Sequence, residues 1–126
     1  IAHRALPMSD QPVRTLVHCD IGTLAFQHYF VRERCAPRVS GFSFAGAERA
    51  SAAPGVLEAL GAPDLAGVII CPSNPFLSID PILAVGGVRA ALAACAAPVI
   101  AVSPIVAGAA LKGPTAKIMA ELSLPQ

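Results

Sequence analysis

The sequence predicts an α/β fold, a Rossmann-like three-layer arrangement on a parallel or mixed sheet, present as a partial domain. Three observations point there. Val68-Ile69-Ile70-Cys71 is a short apolar, β-branched run of the kind that forms a buried strand, and it stops at Pro72. A second such run, Val99-Ile100-Ala101-Val102, comes after an alanine-rich stretch with helical character. Strand, helix and strand at that spacing make a βαβ unit, whose crossover is expected to be right-handed. Finally, hydrophobic residues make up 55% of the 126 and charged ones 13%, an apolar balance for a soluble domain. A parallel sheet covered on both faces would absorb that excess, as would an oligomer interface or contact with further chain.

Taken in order, residues 3–7 read as a short strand, and Met8-Ser9-Asp10-Gln11-Pro12 as a turn. Residues 13–19 alternate as a second strand, with Val13, Thr15 and Val17 on one side. Asp20-Ile21-Gly22-Thr23 is a break in which Asp20 or Thr23 can cap the next element. The spacing then predicts a helix over 24–34, with Leu24, Phe26, Phe30 and Val31 inward and Gln27, His28, Arg32 and Glu33 outward. Pro37 ends it, and residues 39–44 form a strand. A small-residue connection leads to a short helix over 54–60, with proline near its start and Gly61 closing it. The strand at 65–71 comes next. A helix over 81–97 is loosened by Gly86-Gly87, and a strand over 98–102 comes after it. Residues 103–112 form a glycine- and proline-bearing loop, and Gly113-Pro114 opens a last helix over 115–122.

Several function classes are disfavoured. The net charge is +1 with no basic block, so nucleic acid is not an expected partner. Arg32 and Arg34 read as a solvated helix end. Residues 90–110 are uncharged and long enough to cross a bilayer, but Pro98 and Pro104 break the stretch, and no membrane span is expected. No secretory signal is seen, and cytoplasmic localisation is expected. Cys19, Cys35, Cys71 and Cys95 lack metal or redox spacing and read as reduced thiols, with Cys71 and Cys95 in the core. His18 and His28 are weak acid/base candidates. The chain starts at Ile1-Ala2-His3, so residues ahead of it are expected to have been removed.

Chemistry is expected on two loops, residues 72–80 and 103–113. Each lies between a strand and a helix, at the sheet edge where α/β proteins bind ligands. Backbone N–H groups and hydroxyls beside a helix start suit an anion, such as a phosphate or diphosphate. Ser73, Asn74 and Ser78 are candidate donors, and Lys112 would neutralise charge. Two plainer roles stand beside these: Ser78 as a helix cap and Asp80 as a favourable charge at a helix start. Neither loop carries a P-loop or a dinucleotide fingerprint. Asp10, Asp20 and Asp80 are the loop carboxylates; magnesium would use one or two together with phosphate oxygens.

Leu6-Pro7-Met8-Ser9-Asp10, Val13-Arg14-Thr15, Phe26-Gln27 and Tyr29-Phe30-Val31 come in one order with Pro72-Ser73-Asn74-Pro75, Ser78-Ile79 and Pro81-Ile82-Leu83. Val102-Ser103-Pro104-Ile105 and Lys112-Gly113-Pro114 complete the series. Together these motifs resemble the 2-phospho-L-lactate transferase family over nearly the whole chain. The resemblance implies a transferase of coenzyme F(420) biosynthesis. Such enzymes move a phospholactyl or phosphoenolpyruvyl group from a guanosine diphospho-carrier to the ribityl hydroxyl of the deazaflavin precursor Fo, with GMP leaving and magnesium assisting. It implies substrate-binding roles for Ser73, Asn74, Pro75, Ser78, Ser103, Lys112 and Gly113 at the nucleotide and diphosphate cleft. Met8, Ser9 and Asp10 are implied to face the same cleft and help hold Fo or the metal. No side-chain nucleophile is implied. The family's glycine-rich and metal-binding N-terminal part, expected to supply most magnesium ligands, and its C-terminal region are absent from this sequence. A middle fragment, catalytically silent alone and homo-oligomeric as a dimer, is therefore expected. The alternative is a non-catalytic nucleotide-binding or scaffold module on the same sheet.

Overall fold

A computed structural model describes residues 3–110 and 113–125 as a mixed α/β structure. It holds three small sheets. In the first, β1 (Arg14–Cys19) lies between β2 (Gly22–Ala25) and β3 (Val39–Ala45), antiparallel to both. Cys19 pairs with Gly22, so only Asp20 and Ile21 turn the chain, and Gly22 takes φ +113°, which suits a residue without Cβ. Of the side foreseen together, Val17 is fully buried and Val13 and Thr15 are half-buried, but Leu16 and His18 on the other side are half-buried as well.

This sheet meets a turn of π-helix, His28–Arg32, and the last helix, α4 (Thr115–Glu121). Val17, Tyr29, Val39 and Ile118 form the buried cluster, with Leu24, Phe42, Phe76, Leu77 and Leu122 packed against it. Polar groups fasten α4 to the start of β3. Glu121 Oε2 accepts from the Val39 N–H at 3.0 Å, and Lys117 Nζ donates to the Pro37 carbonyl at 2.9 Å while pairing with Glu121 at 2.6 Å. The helix foreseen from residue 24 begins later, because Leu24 and Ala25 stay in β2. Its wide turn, closed by the Glu33 N–H on the His28 carbonyl, shifts the helical phase. Tyr29 goes fully inside, while Phe30 and Val31, foreseen inward, are 44% and 65% exposed.

The short helix α1 (Val56–Leu60) leads to the second sheet, the parallel pair β4 (Val68–Ile70) and β5 (Val99–Ala101), in register Val68 to Val99. Between these two strands the chain makes a second π turn at Pro75–Ile79 and then the helices α2 (Asp80–Leu83) and α3 (Val88–Ala94). The strands foreseen as buried are not: Ile69 is 67% and Ile100 56% exposed, and Cys71 is exposed as well. Two strands of three residues cannot close a layer, and an apolar groove of about 600 Å³ stays open between β4 and the three helices. The helix foreseen over 81–97 is interrupted at Gly86-Gly87. Gly86 donates to the Ala50 carbonyl at 3.0 Å, and a Cβ there would press on that oxygen. Gly87 takes φ +87° and starts α3.

The third sheet is a hairpin inside the loop foreseen at 103–112, with β6 (Ile105–Val106) and β7 (Ala109–Ala110). Residues 3–7 form no strand. Among the described residues no helix is long and apolar enough to cross a membrane.

Candidate functional site

Parallel pairing of β4 with β5 sends the loops after them off the same edge of the pair, as the βαβ spacing required. Pro75 biases Asn74 toward extended backbone, and its ψ is 119°. From there the Asn74 side chain caps the π turn: Oδ1 accepts from the N–H groups of Phe76 and Leu77, both at 3.0 Å. The amide nitrogen donates to Thr115 Oγ1 at 3.1 Å. Thr115 is 1% exposed and begins α4 directly after Gly113, at φ +70°, and Pro114. One asparagine thus ties the loop after β4 to the helix start that lies beyond the loop after β5.

The tie leaves a cleft of about 490 Å³. Pro72, Ser73, Asn74, Leu77 and Ser78 line one side and Pro104, Gly113 and Pro114 the other. Phe26 and Phe30 complete it, with ring centroids 5.5 Å apart at 33°. Such a wall can hold a flat ring, while Ser73 and Ser78 offer hydroxyl donors to an oxyanion. A second groove of about 420 Å³ adjoins through Phe30, Gly113 and Pro114 and adds Arg34, Cys35 and Lys117.

Of the residues singled out from sequence, Ser73, Asn74, Ser78 and Gly113 therefore share one cleft. Pro75 sits behind Asn74 as the first residue of the π turn and does not line the cleft. Ser103 does not line it either; its Oγ accepts from the Ile105 N–H at 3.0 Å. Met8, Ser9 and Asp10 lie elsewhere. The Met8 carbonyl accepts from the Ala53 N–H, and Ser9 Oγ donates to Gln11 Oε1, which also accepts from the Ser51 N–H. Lys112 falls outside the described residues.

No group of three histidine, cysteine, aspartate or glutamate side chains that could hold a metal occurs among the described residues. Asp80 lies 4.0 Å from Arg89, and Asp20 accepts from the Arg38 N–H. The described carboxylates do not by themselves gather into a metal centre. His18 bridges Thr23 and Ser43 across the sheet, each at 3.0 Å, and His28 is exposed. Burial pushes the Tyr29 hydroxyl well above its usual pKa, with the Cys35 thiol beside it adding to the shift. Burial also raises the Cys35 thiol, against the opposing pull of Lys117. Tyr29 is thereby held as a neutral donor to the Cys35 carbonyl, at 3.4 Å.

The aromatic wall was legible as an i, i+4 pair, but the spacing reads as core. Thr115 carries no sequence mark as the partner of Asn74. The chain also has known relatives. A family model described as 2-phospho-L-lactate transferase CofD matches residues 1–125. A phosphoenolpyruvate transferase of Kitasatospora aureofaciens is 44% identical over 96% of this chain and 38% of its own length. One of Mycolicibacterium smegmatis is 43% identical over 87% of this chain and 35% of its own. A 2-phospho-L-lactate transferase of Haloarcula marismortui is 41% identical over 94% and 34%. The chain spans less than two-fifths of the length of these curated relatives.

Proposed function

The chain belongs to the 2-phospho-L-lactate transferase family, and on that premise we propose that it forms the diphosphate-side cleft of a transferase. The enzyme moves a phospholactyl or phosphoenolpyruvyl group from a guanosine diphospho-carrier to the ribityl hydroxyl of Fo, in coenzyme F(420) biosynthesis. In that step the hydroxyl oxygen forms a bond to phosphorus, the bond from phosphorus to the bridging oxygen breaks, the hydroxyl proton is lost and GMP departs. Such in-line displacement relies on positioning and charge, with no covalent intermediate on the protein. The observation that carries the proposal is the Asn74–Thr115 bond, which holds two post-strand loops on one rim around hydroxyls and an aromatic wall.

The roles divide accordingly. Phe26 and Phe30 hold a flat ring, and Ser73 and Ser78 donate to phosphoryl oxygens. Asn74 positions the rim. Lys112, by its place in the sequence, adds positive charge next to Gly113. Magnesium is part of the family chemistry, but the described carboxylates do not gather to hold it. Cytoplasmic localisation and a homodimer complete the proposal; the exposed apolar residues of the parallel pair favour association.

The chain alone is expected to bind GDP and to turn nothing over. Calorimetry with GDP checks the first part: Ser73→Ala with Ser78→Ala should weaken binding about a hundredfold, as befits two lost hydrogen bonds to a charged group. Incubation with Fo and the guanosine diphospho-carrier checks the second. Product from this chain by itself would refute its silence, and heat of binding unchanged by the serine substitutions would refute the cleft assignment.

A further inference from the structure

Arg32 and Arg34 look alike in the sequence, and the structure separates them. Arg32 lies 3.4 Å from Glu33 and lines neither groove. Arg34 lines the groove that shares Phe30, Gly113 and Pro114 with the main cleft. Among the described residues, the Arg34 guanidinium has no carboxylate or carbonyl partner. The groove's other cation, Lys117, is already held by Glu121 and the Pro37 carbonyl. Arg34 also stands in strained backbone, at φ +50° beside Cys35 at φ +60°. Glycine would sit there without strain, so an arginine at this position carries a conformational cost that its own local contacts do not offset.

We propose that Arg34 is a specificity-determining residue that binds the diphosphate of the nucleotide carrier, reaching it from the adjoining groove while the ring lies against Phe26 and Phe30. A guanidinium presents a planar fork of N–H donors that matches two phosphate oxygens at once, and an unpaired one beside a ring wall provides that match. The inference rests on the nucleotide-carrier function proposed above and deepens it by assigning the cation.

The test is calorimetry on the full chain with three probes: GDP, inorganic pyrophosphate and guanosine. Arg34→Gln should weaken GDP and pyrophosphate about tenfold, the effect of one charge-assisted contact, and leave guanosine unchanged. Arg32→Gln should stay within about twofold for all three probes, as an exposed charge away from the ligand would. Arg34→Gly should lose the same affinity yet melt at or above the original chain, because it relieves the positive φ. Arg34→Gln binding GDP as the original does would overturn the assignment and leave the carrier proposal standing. Equal weakening by Arg32→Gln would reduce the effect to general charge and also overturn it. Binding of neither GDP nor pyrophosphate by the unaltered chain would overturn both proposals together.

Discussion

The parallel pair is built from the more apolar strands, yet it is the antiparallel sheet, with Arg14, Thr15, His18, Ser40 and Ser43 among its residues, that carries the core. Around β1 and β3, Val17, Tyr29, Val39 and Ile118 are at most 1% exposed. On β4 and β5, Ile69, Ile100 and Val99 stand 67%, 56% and 41% exposed. The difference lies in what each sheet has to lean on. One face of the antiparallel sheet suffices for a core, and the π turn and α4 cover it. A parallel pair needs cover on both faces and further strands at its edges, and two strands of three residues have neither.

The largest expected effect sets these regions against each other. Ile118→Ala, at a fully buried site, should lower stability by about 2–5 kcal/mol in urea unfolding. Ile100→Ala, on the open pair, should change it by less than about 1 kcal/mol. Equal losses would mean the pair is covered in solution, for instance by a second copy.

A smaller effect tests the bond that joins the two regions. Asn74→Ala removes a cap and leaves the buried Thr115 hydroxyl without its donor, so about 2–3 kcal/mol is expected. In a double-mutant cycle with Thr115→Val, a coupling of at least about 0.5 kcal/mol should appear. Purely additive losses would show that Asn74 acts only as a local cap.

The smallest effect is confined to alkaline solution. Tyr29 has a raised folded-state pKa, so the folded chain keeps the proton longer than the unfolded one. Its contribution is complete below the unfolded value of about 10 and is lost as pH climbs above it. Melting temperature should fall in that range, and Tyr29→Phe should remove part of the fall. An unchanged pH profile in Tyr29→Phe would assign the loss to other groups.

Legibility in the sequence divides along the same line. The strand–helix–strand spacing was enough for the shared rim, because parallel pairing fixes on which side both loops emerge. Ser73, Asn74 and Ser78 were named from loop chemistry, Gly113 from the family resemblance, and the four come together. The role of Asn74 was not visible: it was named as a donor to a ligand, whereas its side chain caps the π turn and bonds to Thr115 in distant chain. Phe30 and Val31 were misplaced because a π turn breaks the 3.6-residue period that assigned them inward. Burial of Val68-Ile69-Ile70 was misjudged for another reason. An apolar run states what a strand needs, and only the packing around it shows whether the need is met. Arg34 was hidden because positive φ at a non-glycine residue leaves no trace in composition.

The Asn74–Thr115 contact has a consequence for the order of assembly. It spans 41 residues, while β1 and β2 meet across a two-residue turn. Contacts between neighbours in sequence form readily, and distant ones wait on the search that closes long loops. The three-stranded sheet is therefore expected to appear early in refolding, with the ligand-facing rim locking into place at the end.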